Sequence, residues 1–185
     1  MSRPAQFRMP IGRMPALEAS LSDSFVAVVP GARWDTKRWP IERYTQLVRQ
    51  LIGEGRQVVL LGSPDEKALC DQIEREVAGG MRVMNLAGRT ALGEMIAVLA
   101  HATLVIGNDS GPLHVAVALG RRTLGIYGPT DPSFVGPHGQ LDQVIRHDVP
   151  CFPCRNRECW HHSCMNGVPV ELVWEKTRKV LSTER

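Results

Sequence analysis

Aromatic residues are few in this chain of 185, at 5% of positions, which speaks against an all-β sandwich and against a stacking platform for single-stranded nucleic acid. No apolar run approaches the roughly 18–20 residues that a membrane span needs. The stretch from Met1 to Pro15 has arginines without the apolar segment of a secretory signal, so a cytoplasmic chain with no transmembrane segment is expected. Neither sign of charge dominates: 22 Lys plus Arg face 19 Asp plus Glu, a net charge of +3. Without a basic stripe, so mild a balance predicts no nucleic-acid partner and points to small anions. Three motifs are also missing. There is no GxGxxG after the first apolar run, no GxxxxGK[ST] and no G-x-S-x-G, so neither a dinucleotide oxidoreductase, nor a P-loop NTPase, nor an α/β-hydrolase is supported.

What is present is ordinary in amount, 43% hydrophobic and 22% charged, and the length allows one full domain with a real core. Residues 1–24 carry Pro4, Pro10, Pro15 and a Ser-rich end, and read as a linker or tail. The folded domain is expected over 25–185, with a Cys-rich loop at 150–166. From Phe25 onward, short apolar runs (25–29, 57–61, 82–86, 103–106, 123–127) alternate with helical patterns over 41–52, 64–77, 92–100 and 112–119. A sixth strand at 143–146 and a closing helix at 170–181 follow. Continuous apolar strands joined by short helical crossovers predict an α/β fold, a doubly wound, mainly parallel Rossmann-like sheet with helices on both faces. The helix over 112–119 is apolar on nearly every side and is expected to be buried nearly all round.

In such a sheet, ligands bind beyond the carboxyl ends of the strands where the strand order reverses, beside the first and fourth strands. The loop after the first strand, Pro30 to Pro40, combines Gly31 and Ala32 with the cations Arg33, Lys37 and Arg38, interleaved with Trp34 and Trp39. The loop after the fourth, Gly107-Asn108-Asp109-Ser110-Gly111-Pro112, opens a helix whose free N–H groups suit an anion, with His114 one turn on. Read alone, that second loop is a turn and N-cap; its place at the switch point favours a phosphate or diphosphate. His114 reads equally as a core histidine or a ligand contact. Asp109 would repel phosphate and better suits hydroxyls, such as those of a sugar.

Cysteine is uneven: Cys70 stands alone, a small core residue on a helix face, whereas Cys151, Cys154, Cys159 and Cys164 crowd together as C-x2-C-x4-C-x4-C. Two readings stay open, a structural zinc or iron–sulfur ligand set or reduced, packed or conditionally oxidised thiols.

Four stretches in order, Pro30-Gly31-Ala32 with Thr36 to Pro40, Leu86-Ala87-Gly88-Arg89-Thr90 with Leu92, Val105 to Pro112 with His114, and Tyr127-Gly128-Pro129-Thr130-Asp131-Pro132, give the chain a family likeness. It resembles glycosyltransferase family 9, the lipopolysaccharide heptosyltransferases and their relatives. The resemblance implies the C-terminal, donor-binding half of a GT-B architecture of two facing Rossmann-like domains. It implies a nucleotide-sugar donor, ADP-heptose above all, a lipopolysaccharide-core acceptor bound through the N-terminal domain, and peripheral contact with the inner face of the cell membrane. Lys37 would bind the donor diphosphate, with Ser110 and Gly111 adding hydrogen bonds at the helix end. Asp109 would hold the transferred sugar with His114 in support, and Asn108, Gly31, Ala32 and Arg38 complete the donor site. Ala87, Gly88 and Arg89 would face the nucleobase, while Thr90 also reads as the N-cap of the helix that follows. Thr130 either reaches phosphate or serves a turn. No cofactor is required for this chemistry if cations and a helix end stabilise the leaving group, and the catalytic base is expected in the other domain. The alternative is a non-catalytic nucleotide- or metal-binding module centred on the four cysteines.

Overall fold

The computed structural model describes residues 24–78 and 80–183; the expected tail over 1–24 lies, Ser24 excepted, outside them. Six strands, β1 (Phe25–Val29), β2 (Gln57–Leu60), β3 (Val83–Asn85), β4 (Leu104–Asn108), β5 (Thr123–Tyr127) and β6 (Val144–Arg146), form one sheet in the order β3-β2-β1-β4-β5-β6. All five pairings are parallel. The expected doubly wound Rossmann-like sheet is therefore present, with its switch between β1 and β4.

Alternation along β1 shows why the strands are apolar throughout. Val26 and Val28 enter one core with α1 (Ile41–Gly53), α2 (Lys67–Val77) and the final long helix. Phe25, Ala27 and Val29 enter the other, with α3 (Leu92–His101) and α4 (Gly111–Ala118). Two short helices, α5 (Pro132–Val135) and α6 (Ser163–Asn166), precede that final helix, α7 (Val170–Ser182). In α1, the buried side chains Tyr44, Leu47, Val48 and Leu51 recur on one face, each contributing on the order of 1.5–3 kcal/mol of burial. Cys70 is fully buried in the same core, and burial, aided by the carboxylates Glu66, Asp71 and Glu74, pushes its thiol up to about 12.

Two expectations are corrected. In α4, only Leu113 and Ala116 are buried. Its apolar composition records residue type, whereas burial depends on how many layers face the helix; α4 has the sheet on one side and α3 on one flank. In α3, Ala91 and not Thr90 occupies the N-cap position. The Ala91 N–H donates to Glu94 Oε2 at 2.7 Å, the carboxylate half of a capping box, so the N-cap N–H is satisfied from inside the first turn although alanine has no side-chain acceptor of its own. Among the described residues, no helix is long and apolar enough to cross a membrane.

Candidate functional site

Because β1 and β4 pair in register, with Val29 opposite Gly107, the loops that leave their carboxyl ends lie side by side. Asn108 locks them together. Its Nδ2 donates to the carbonyls of Pro30 (2.8 Å) and Gly31 (3.3 Å), and its Oδ1 accepts from the Trp39 N–H (3.1 Å) and the Tyr44 hydroxyl (3.0 Å). Two donors and two acceptor sites are all that an amide offers, so Asn108, expected as a donor contact, instead positions the loop that carries the cations.

The cleft above these loops has two chambers. The larger, of about 530 Å³, is lined by Gly31, Ala32, Arg33, Arg38, Ser63 to Glu66, Thr90, Leu92, Met95 and Ser110 to Pro112. The smaller, of about 300 Å³, is lined by Arg33, Trp34, Lys37, Asp109, Ser110, Gly111, His114 and Arg157. Arg33, Ser110 and Gly111 belong to both, so the N-terminus of α4 is the sill between them. At that sill the Ser110 hydroxyl is buried without a hydrogen-bond partner, whereas buried hydroxyls are ordinarily satisfied. A phosphate oxygen seated at the helix end would supply the missing partner.

In the smaller chamber Asp109 organises its neighbours. Lys37 Nζ donates to Oδ2 at 2.6 Å, the Thr130 hydroxyl donates to the same oxygen at 2.7 Å, and His114 Nε2 lies 3.1 Å from Oδ1. Burial alone would raise the Asp109 pKa, but the hydrogen bonds from His114, Lys37 and Thr130 and the charge of Lys37 outweigh it and hold the carboxyl below its ordinary range. Lys37 Nζ also sits 4.6 Å from the centre of the Trp34 ring. Thr130 is buried and directed at Asp109; it does not line either chamber, so the expected reach to phosphate is replaced by support of the carboxylate.

In the larger chamber Arg38 is held by the Ala32 carbonyl (Nε to O, 2.9 Å) and by Asp35 (2.6 Å). Ala87 is buried, and neither it nor the exposed Gly88 and Arg89 line the chamber; from that segment Thr90 does. Sequence reading overlooked Asp65 and Glu66. Ser63-Pro64-Asp65-Glu66 looks like a helix start, and the Ser63 N–H does donate to Glu66 Oε2 at 2.8 Å. The available signal was position, at the end of β2 beside β1, together with a glycine at residue 31, where any Cβ would overlap the Glu66 carboxyl.

The four clustered cysteines are free thiols: Cys151 is exposed, Cys154 and Cys159 half-buried, Cys164 buried. Among the described residues no group of three or more His, Cys, Asp or Glu is arranged to hold a metal, so of the two readings of Cys151, Cys154, Cys159 and Cys164 the structure shows the free thiols and not an assembled metal set. Cys164 is drawn off with α6 against Gly128, where an added Cβ would lie 3.1 Å from its sulfur. Burial raises its thiol pKa. The same loop reaches the cleft by another residue, Arg157, which sequence reading missed.

The model of the family described as glycosyltransferase family 9 (heptosyltransferase) matches residues 8–164. Lipopolysaccharide heptosyltransferase 2 of Salmonella typhimurium is 34% identical over 164 residues, which cover 86% of this chain and 47% of that protein. Its counterpart in Escherichia coli is 33% identical, with 86% and 47% covered. The chain thus spans about half the length of the curated relatives it matches. Among solved structures, E. coli ADP-heptose lps heptosyltransferase II superposes with a TM-score of 0.78 at 29% identity, covering 98% of this chain and 56% of that one. An E. coli heptosyltransferase solved with ADP shares the fold, with a TM-score of 0.68 at 24% identity, over 84% of this chain and 44% of that one. With the family model matched over most of the sequence and the same sheet in its relatives, the chain belongs to glycosyltransferase family 9, the heptosyltransferase family.

Proposed function

We propose that this chain forms the donor-binding half of an inverting glycosyltransferase that uses a nucleoside diphosphate sugar, with ADP-heptose as the donor and a lipopolysaccharide-core sugar as the acceptor. The observation that carries the reading is the Ser110 hydroxyl, buried and unpartnered at the N-terminus of α4, with Lys37 and Arg33 beside it. The donor assignment is supported by relatives whose structures were solved as an ADP-heptose heptosyltransferase and with ADP.

In this reading the nucleoside fills the larger chamber, and the diphosphate crosses the sill into the smaller one. The acceptor hydroxyl attacks the anomeric carbon; the new C–O bond forms as the bond to the distal phosphate oxygen breaks, and the nucleoside diphosphate departs with that electron pair. The acceptor proton passes to a base on the facing domain. Negative charge grows on the departing phosphate, where Lys37 and the amides at Ser110 and Gly111 stabilise it without reorganising. Asp109 Oδ1 receives only His114, which leaves it able to accept from a sugar hydroxyl. A lipopolysaccharide-core acceptor would place the enzyme at the inner face of the cell membrane.

Titration calorimetry of the chain with ADP and UDP tests the binding step, and saturable heat with ADP is expected. No heat at millimolar ligand would sink the reading. Because the base belongs to the facing domain, the chain alone should release no sugar to an acceptor; measurable transfer would refute that division of labour.

A further inference from the structure

We propose that Arg157, carried by the cysteine-rich loop between β6 and α6, is a donor-binding residue that grips the distal phosphate of the bound nucleoside diphosphate. This rests on the donor-binding reading above and adds a residue from a different part of the chain.

Four observations converge. Arg157 lines the smaller chamber together with Arg33, Trp34 and Lys37 of the loop after β1. Its guanidinium carbon lies 5.0 Å from the centre of the Trp34 ring, the same ring that Lys37 Nζ approaches to 4.6 Å. One indole therefore gathers two cations at the chamber wall. Among the described residues no carboxylate stands within ion-pair distance of Arg157, although Asp109 neutralises Lys37 and Asp35 pairs with Arg38. The backbone just before Arg157 is tied down rather than loose: the buried Thr36 hydroxyl donates to the Asn156 carbonyl at 2.8 Å, and the Arg155 N–H donates to the Pro129 carbonyl at 2.9 Å.

Charge decides what such a chamber takes. Arg33, Lys37 and Arg157 face one carboxylate, Asp109, leaving a positive surplus that a diphosphate would balance. A guanidinium presents two parallel N–H groups to two phosphate oxygens, a match that an ammonium lacks. Position decides which phosphate. Arg33, Ser110 and Gly111 serve both chambers, but Lys37, His114 and Arg157 line only the smaller one. With the nucleoside in the larger chamber, the proximal phosphate sits on the sill and the distal phosphate falls to Lys37 and Arg157. A side chain that merely adds positive field would help every nucleotide alike; one placed here should tell a diphosphate from a monophosphate.

The experiment is titration calorimetry with ADP, AMP and adenosine on the parent chain and on Arg157→Gln, Arg157→Lys and Thr36→Val. For Arg157→Gln, ADP affinity should fall about tenfold while AMP and adenosine change less than twofold. Arg157→Lys keeps the charge without the fork and should lose about threefold for ADP. Thr36→Val, which unties the loop but keeps the cation, should fall between the parent and Arg157→Gln. Arg157 is exposed, so thermal unfolding of its variants should match the parent and separate loss of contact from loss of fold. ADP affinity of Arg157→Gln within twofold of the parent, or equal losses for ADP and AMP, would overturn the assignment. If the parent binds neither nucleotide, the donor-binding reading falls and takes this one with it.

Discussion

The two chambers of the cleft share a sill and differ in electrostatics. In the larger, the cations Arg33 and Arg38 share the wall with the carboxylates Asp65 and Glu66, and apolar side chains such as Leu92 and Met95 complete it. In the smaller, three cations meet one carboxylate, and that carboxylate already holds Lys37. A balanced, partly apolar chamber suits a neutral nucleoside with hydroxyls to bind; a positive chamber suits phosphate. Under the proposed donor reading, the contrast would let one cleft take a ligand with two chemically unlike ends, with only the N-terminus of α4 and Arg33 common to both.

The severest break of this contrast is Lys37→Ala. Removing the cation also leaves Asp109 uncompensated against an incoming anion, so ADP affinity should drop on the order of thirtyfold while adenosine stays within twofold in the same calorimetric titration. Equal losses for the two ligands would show that the chambers are not electrostatically distinct. A second test uses acid. The Asp109 pKa is lowered in the folded chain, so its contribution to stability is full above the ordinary carboxylate value near 3.9 and is lost as pH falls through the lower folded value. Asp109→Asn should cost about 2 kcal/mol in urea unfolding at pH 7. That gap from the parent should stay level down to about pH 4 and close below it; a gap closing near pH 6 would implicate another group. The mildest test sharpens the other side: Glu66→Gln should weaken adenosine, AMP and ADP alike by about threefold, a loss independent of phosphate, unlike that of Lys37→Ala.

Much of this architecture could be read from residue order. Apolar strands at 25–29, 57–61 and 103–106, separated by helical patterns, leave few topologies, and the switch-point rule then brings Lys37 and Asp109 to one cleft, where they stand 2.6 Å apart. What escaped were properties of partners. A motif shows that Asn108 and Thr130 are polar and near the site, but not that Asn108 is fully engaged by the loop after β1, or Thr130 by Asp109. Asp65 and Glu66 were masked by a local pattern with its own sufficient explanation, the capping of a helical turn. Arg157 was the least legible, because the link that brings its loop to the cleft, Thr36 to Asn156, spans 120 residues. The cysteine spacing left two readings open, a metal set or free thiols, because closeness in sequence does not fix closeness in space; the loop is drawn out by its contacts with Thr36, Pro129 and Gly128, and the thiols stand free.

The Trp34 ring, flanked by Lys37 and Arg157, would also give the proposed donor site a built-in optical reporter. Of the four tryptophans, Trp39 is sealed in the core with its indole N–H donated to the Val168 carbonyl at 2.9 Å, Trp160 stands 95% exposed, and Trp174 packs against the core on α7. Of the four, Trp34 alone lines the smaller chamber. In the donor reading, an arriving phosphate that draws the two cations away from its ring would change the field across that indole. A change in tryptophan emission on adding ADP that is lost in Trp34→Phe would therefore report occupancy of the smaller chamber without a label.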